Sequence, residues 1–285
     1  MLNGEKKMIG ILGGTGLYKI EGAEISEELE IETPFGKPSA KLKRVSLQKK
    51  DYIFLPRHGE NHQYLPHEIN YAANIYALKT LGVSQIISIS AIGSLNELLK
   101  PGDFALIKQY IDATKGFRRQ SFFGNGLVGH VSTADPVCSR LSSELFERAI
   151  ECKMNAHKDT TYVCVEGPRL GTRAESFYFQ SMKADVIGMT NVPEAFLARE
   201  AQICYASMGV ITDFDCWKEE NVADTLEILT RYKQSLETVN TFLNTQLSKL
   251  QASDCACRHA LRTALLTDPS NLQGAQKKVL DILAC

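Results

Sequence analysis

The sequence lacks an excess of either charge: 32 Lys and Arg stand against 33 Asp and Glu, for a formal net charge of -1. A balanced chain carries no basic footprint, so nucleic acid is not an expected partner. There is no apolar run of about 18 residues, the length that spans a bilayer, so no membrane partner is expected through a transmembrane helix. The basic stretch 1–8 is not followed by a clean apolar segment with a small-residue cleavage site, and a cytoplasmic location is the expectation. Internal repeats and low-complexity linkers are also missing, and no domain break precedes about residue 250. The expected division is one domain over 1–250 and a C-terminal tail over 251–285.

Cysteine is present, at eight positions, but without a secretory context that would make it a disulfide framework. Cys138, Cys152, Cys164, Cys204 and Cys216 sit near apolar neighbours and read as buried thiols. Cys255 and Cys257 form a Cys-x-Cys pair in the tail, and Cys285 ends the chain. Zinc is an open reading of that pair, but the two are too close to match a usual zinc pattern, and a local redox pair or surface thiols is the expectation.

What is there is a series of apolar strands that end in glycine, hydroxyl or charged residues. A run over 8–12 feeds Gly13-Gly14-Thr15-Gly16. No Gly-Lys-Ser/Thr follows, and Lys19 stands where a dinucleotide fingerprint needs its third glycine. The turn is read either as a tight turn needing positive φ or as a phosphate site with Thr15 as a donor. A strand over 52–55 runs into Pro56-Arg57-His58-Gly59, a setting suited to anion capture or to plain surface decoration. A β-branched strand over 85–90 ends in Ser90-Ala91-Ile92-Gly93-Ser94-Leu95, and another over 160–165 ends in Glu166-Gly167-Pro168-Arg169. A short strand over 185–188 leads to Met189-Thr190-Asn191-Val192-Pro193-Glu194, and one over 203–210 delivers Thr212-Asp213-Phe214-Asp215. If that last segment stays extended, Asp213 and Asp215 share a face, and like charges at close range raise one pKa.

Helical spacing predicts helices over 66–82, 142–153, 173–183, 195–201, 223–249 and 276–283. The alternation argues an α/β domain with a largely parallel sheet and a site at the carboxyl ends of its strands.

Taken in order, these strand ends resemble the trimeric purine nucleoside phosphorylase family, and within it the branch that acts on 5′-methylthioadenosine. The resemblance runs from about residue 7 to about residue 250. It implies a single α/β domain around a mixed, partly barrel-like sheet, assembled as a homotrimer or a dimer of trimers. It implies phosphorolysis of methylthioadenosine to adenine and 5-methylthioribose 1-phosphate, with phosphate as co-substrate and no metal or organic cofactor. Thr15, Arg57, His58, Ser90, Ala91 and Thr190 fall on the family's phosphate-binding positions, with Ser90 in place of a frequent Thr. Met189 falls on the ribose position, and Asp213 and Asp215 on the purine pair. His130 matches a position that reaches toward the 5′-substituent from the neighbouring subunit. Asp213 is assigned to the purine N7 and Asp215 to the 6-amino group, though the two could exchange. Three residues depart from the family. Leu170 stands where Phe is usual, Gly171 where Ser is common, and Asn191 where an apolar residue or Thr is usual; they bear on the base and 5′-group pocket.

Three other classes stay open on residues alone. A dinucleotide-dependent oxidoreductase would use Gly13–Gly16 but lacks the full fingerprint. A silent nucleoside-binding protein would keep the acids without needing the anion donors. A nucleosidase would use water in place of phosphate.

Overall fold

A computed structural model describes residues 8–218, 225–251 and 254–285. In chain order its elements are strands β1 (Met8–Gly13), β2 (Glu24–Leu29), β3 (Leu42–Leu47) and β4 (Lys50–Pro56), then helix α1 (Tyr71–Thr80). Next come β5 (Val83–Ser94), β6 (Phe104–Ala113), α2 (Ser139–Glu151), β7 (Ala156–Val165), α3 (Arg173–Ser181) and β8 (Val186–Gly188). The chain closes with α4 (Asn191–Glu200), β9 (Cys204–Asp213), α5 (Thr225–Gln246) and α6 (Gly274–Ala284).

The strands form one sheet in the order β2-β3-β4-β1-β5-β8-β7-β6-β9, and β9 also pairs with β5. That extra pairing closes β5, β8, β7, β6 and β9 into a barrel, which gives the expected mixed, partly barrel-like α/β architecture. The long strand β5 makes this possible. One edge pairs in parallel with β1 and, at Gly93 and Ser94, antiparallel with β8; the other pairs in parallel with β9. β5 and β9 are buried on both faces, and β5 hides Gln85, Ser88 and Ser90 as well as its apolar residues.

β4, β1, β5 and β9 run parallel to one another, so Pro56, Gly13, Gly93 and Asp213 come to lie at one end of the sheet. The motifs read from the sequence therefore meet because of strand direction alone. Each glycine admits a neighbour at a tight point. At Gly14 a Cβ would lie 2.7 Å from the Ile89 carbonyl oxygen and 3.1 Å from Arg57 Nη1, which lets the turn lie against β5 and the guanidinium.

Two strands are not anticipated by the sequence reading. β2 is Glu-Ile-Ser-Glu-Glu-Leu, mostly exposed and with little apolar content to register. It is the sheet's edge, where charged side chains discourage a foreign strand from pairing. Its partner β3 carries the half-exposed Lys43 and Arg44. Helix starts also differ. α1 begins at Tyr71 because Asn70 caps it, its side chain accepting from the Ala73 amide at 3.1 Å. α3 opens as expected at Arg173, with Thr172 and Glu175 forming a reciprocal capping box. In α4, Val192 keeps an extended φ/ψ of -114° and 128°, as the residue before Pro193 prefers.

The apolar positions of the long helix α5 are only partly core. Tyr232, Val239, Phe242 and Leu243 are buried, whereas Leu226 is exposed and Leu229 stands at the rim. Residues 223 and 224 of the expected helix lie outside the described residues. The tail is tied to the same body. Val279, Leu280 and Leu283 of α6 join the core cluster that contains Ala77 and Leu78 of α1, so this face covers its own chain. The Lys79 Nζ donates to the Cys285 carbonyl at 2.8 Å, and the Gln202 side chain to the Leu283 carbonyl at 3.1 Å. Among the described residues, no helix is long and apolar enough to cross a membrane.

Candidate active site

The strand ends enclose a cavity of about 440 Å³, a size that suits a nucleoside-sized ligand. Thr15, Arg57, His58, Ser90, Ala91, Thr190, Met189, Leu170, Asp213 and Asp215 all line it. His130 does not: it is exposed, its amide donating to the Ala264 carbonyl at 2.8 Å.

At one end of the cavity the donors gather. Ser90 Oγ is buried and has no hydrogen-bond partner among the described residues. A buried hydroxyl left unpaired costs about 1–3 kcal/mol, so a group that accepts its proton is strongly favoured there. Thr190 is buried at the mouth of α4, and its amide donates to Tyr162 Oη at 3.2 Å.

Arg57 is fully buried and differs from the free fork that the sequence suggests. Its Nε donates to Glu194 Oε2 at 2.6 Å and its Nη2 to Glu194 Oε1 at 3.1 Å. The same Nη2 donates to Ser88 Oγ at 2.6 Å, and Nη1 to the Ile89 carbonyl at 3.1 Å. Four of the five N–H groups of a guanidinium are thus engaged, which leaves one on Nη1, the atom beside Gly14. Burial pushes the Arg57 pKa down, but the Glu194 carboxylate outweighs it and holds the group charged.

Glu194 is the anchor of this network and was quoted in the sequence only as part of a motif. It also accepts from Tyr205 Oη at 2.8 Å and from Ser88 Oγ at 2.7 Å. Asn191 belongs here too. Its amide nitrogen donates to Ser88 Oγ and Tyr205 Oη, at 3.3 and 3.2 Å, and its oxygen accepts from Ser207 at 2.9 Å. This departure from the family therefore acts on the buried support of Arg57 and is absent from the cavity lining, contrary to the expected effect on the base pocket.

His58 is held by its Nδ1, 2.9 Å from the Tyr64 carbonyl. A carbonyl only accepts, so Nδ1 carries the proton and Nε2 of the neutral ring is an acceptor. Burial is the main reason that its pKa falls to about 4, with Arg57 and the stacked His62 ring adding to it. The neutral ring thus suits the O–H of a hydrogen phosphate, while Ser90 and the Arg57 Nη1 suit its charged oxygens.

At the other end lie the acids. The extended geometry expected for the pair stops at Asp213, where β9 ends; Asp215 has a φ of 51° in a turn. The turn, rather than strand alternation, brings both into the cavity. Asp213 Oδ2 accepts from Thr212 Oγ1 at 2.6 Å and Oδ1 from the Asp215 amide at 2.8 Å. Asp215 accepts from Ser176 Oγ. Both carboxyls have raised pKa values, and the leading cause in each is burial rather than mutual repulsion; the Asp215 charge is a lesser contribution at Asp213. Leu170, Met189, Ile228, Leu229 and Tyr232 supply apolar surface around them. Met189 reaches its position because Gly167, at φ 70°, has no Cβ to meet its sulfur.

Tyr232 and Arg118 were missed. Tyr232 lies inside the predicted helix over 223–249, yet it borders the cavity with a buried hydroxyl that has no partner among the described residues. Arg118 lies outside every predicted strand and helix, but is buried. It pairs with Glu166 at 2.7 Å and donates to the Met189 and Val192 carbonyls, each at 2.7 Å. It thereby clamps the Met189-Thr190 segment. No local pattern marks either residue, since each role depends on a partner far away in the chain.

The model of the Phosphorylase superfamily matches residues 8–245. The S-methyl-5′-thioadenosine phosphorylase of Geobacter sulfurreducens is 42% identical over 280 residues, 98% of each chain. That of Nitrosopumilus maritimus is 47% identical over 257 residues, covering 90% of this chain and 97% of the relative. Among solved structures, a methylthioadenosine phosphorylase from an Antarctic soil metagenomic library superposes with a TM-score of 0.88 at 41% identity, over 97% of this chain and 98% of that one. The methylthioadenosine phosphorylase of Schistosoma mansoni, solved with adenine, gives 0.87 at 34% identity, over 92% of this chain and 99% of that one. With its strand-end cavity and closed barrel, the chain belongs to the phosphorylase superfamily and, within it, to the methylthioadenosine phosphorylases.

Proposed function

We propose that the protein is a pentosyltransferase of purine salvage that cleaves 5′-methylthioadenosine with phosphate, releasing adenine and 5-methylthioribose 1-phosphate. The observation that carries this reading is a single cavity with a hydroxyl unpartnered among the described residues and a held arginine at one end, and two buried carboxyls with raised pKa values at the other. Phosphate held by Ser90, Thr15, Thr190, His58, the Ala91 backbone and Arg57 Nη1 is aimed at C1′ of a sugar lying along Met189. Fixing those donors beforehand avoids reorganisation during reaction. As the glycosidic bond breaks, charge builds on the purine, and a protonated Asp213 at N7 neutralises it. Asp215 accepts from the 6-amino group. Inorganic phosphate is the co-substrate, and the chemistry calls for no metal or organic cofactor.

The acids also favour the base. An ionised carboxylate accepts from an exocyclic amine but has no proton for a 6-oxo oxygen, whereas Asn offers both a donor and an acceptor. Base release from methylthioadenosine, adenosine and inosine tests this: the two 6-aminopurines react at least tenfold faster than inosine. Equal rates on all three remove the assignment of Asp215.

We further propose a cytoplasmic homotrimer, singly or as a dimer of trimers, in which His130 of one subunit completes the 5′ side of its neighbour's cavity. Its exposure outside its own cavity supports this, as do the exposed Phe117, Leu170, Phe177 and Tyr178, which suit a subunit contact. Light scattering should give about three or six times the 31.6 kDa chain mass. His130→Ala should raise KM for methylthioadenosine and leave that for phosphate unchanged. A monomer with full activity contradicts both parts.

A further inference from the structure

Away from the cavity, four cysteines from three separate parts of the chain converge. Cys138 is the cap residue of α2, Cys204 opens β9, and Cys255 and Cys257 come from the tail. Their four sulfurs all lie within 4.8 Å of one another, and those of Cys138 and Cys255 are 3.5 Å apart. A tetrahedral zinc with Zn–S bonds of about 2.3 Å sets its sulfurs roughly 3.8 Å from each other. Disulfide bonding joins sulfurs only in pairs at about 2.05 Å, so it does not by itself call for four at one point.

The surroundings fit a thiolate cage. Cys138, Cys204 and Cys257 are buried and Cys255 is half-buried, so the site is closed to water on most sides. The Cys138 backbone is anchored on both sides, its amide donating to the Tyr205 carbonyl and its carbonyl accepting from the Ser142 amide, at 2.8 and 2.9 Å. Arg140, the second residue of α2 and two positions from Cys138, donates to Gln85 at 2.5 Å and to Glu144 at 3.1 Å. A guanidinium there offsets the net double negative charge of a metal held by four thiolates.

We infer that Cys138, Cys204, Cys255 and Cys257 form a structural site for a thiophilic divalent cation, zinc above all. The expectation of surface thiols or a two-residue redox pair rests on Cys255 and Cys257 alone, and the fold corrects it by bringing in the other two ligands. Zinc enters by displacing the thiol protons, and no electron is transferred. Its purpose follows from what the tail does next. Residues 264–267 pair with Val128, Gly129 and His130, and α6 then covers α1. A metal at residues 255 and 257 pins the tail to the core just before that stretch.

The test uses the full chain, purified under reducing conditions, loaded with zinc and freed of excess metal. Native mass spectrometry and metal analysis should find one zinc per chain. Cobalt in its place should give thiolate charge-transfer bands and the absorption of a tetrahedral ion. Cys257→Ser should weaken zinc binding by more than tenfold, whereas Cys285→Ser, on an exposed thiol outside the cluster, should not change it. The wild-type cobalt spectrum decides the matter if Cys257→Ser fails to fold. Eight free thiols with no retained zinc overturn the inference. So do four free thiols in the denatured, unreduced protein, which would make the cluster two disulfides.

Discussion

Asp213→Asn lowers kcat/KM for methylthioadenosine by about 10²–10⁴, the usual contribution of a positioned proton donor. The residual activity shifts toward 6-oxopurine nucleosides, because the two N–H groups of the Asn amide can serve N7 and the adjacent 6-oxo oxygen together, whereas a protonated Asp213 has one proton and gives it to N7. A pH signature separates this from a merely structural loss. Burial lifts the Asp213 pKa above its ordinary 3.8, so the folded protein keeps that proton to higher pH than the unfolded chain does. The stability linked to the group is fully present below 3.8 and is lost as pH rises through the raised value. Turnover that needs the protonated acid declines over the same upper limb. Asp213→Asn removes both dependences and makes the ligand-free protein more resistant to heat at neutral pH, while it loses activity. Such an opposition between stability and activity is what a buried acid retained for chemistry produces. Unchanged kinetics on both classes of substrate would remove Asp213 from the mechanism.

Glu194→Ala has the largest expected effect on folding. It leaves the Arg57 guanidinium, 0% exposed, without its carboxylate, and removes an acceptor from Ser88 and Tyr205. Breaking a buried pair by deleting one partner costs about 3–5 kcal/mol. Thermal unfolding should therefore fall by roughly 10 °C for a chain of this size. Glu194→Gln keeps the shape and part of the hydrogen bonding, so it loses less stability and shows the functional effect. Freed from its bidentate partner, Arg57 no longer aims Nη1, and KM for phosphate rises more than KM for the nucleoside. If Glu194→Ala unfolds within about 1 kcal/mol of the parent, the pair does not hold Arg57 in place.

Much of this site is visible in the sequence because its parts lie where buried strands end. The runs before Gly13, Pro56, Ser90 and Asp213 are apolar or β-branched, and the polar residue that follows each marks the carboxyl edge of a parallel strand. Parallel pairing then places them side by side without any local signal being needed. What stays hidden depends on distant partners. Arg57 and Glu194 are 137 positions apart, so nothing near either one shows that the arginine's fork is turned away from substrate. Asp215 reaches the cavity through a positive φ, a backbone choice that an Asp tolerates but does not announce. Arg118 and Tyr232 look like loop and helix filler until Met189 and the cavity stand next to them. The four thiols show the same principle, since Cys138 and Cys255 are 117 positions apart. β2 is hidden for a different reason: an edge strand rich in Glu carries almost none of the apolar alternation by which strands are read.

The central claim is that the anion end of the cavity holds a reactant. Phosphorus NMR of the protein with methylthioadenosine and inorganic phosphate tests it most directly, with adenine followed in the same sample. The phosphate signal should fall one for one with adenine release while a sugar 1-phosphate signal grows, and no adenine should appear when phosphate is left out. Adenine released at full rate with the phosphate signal unchanged would make water the nucleophile and contradict the account.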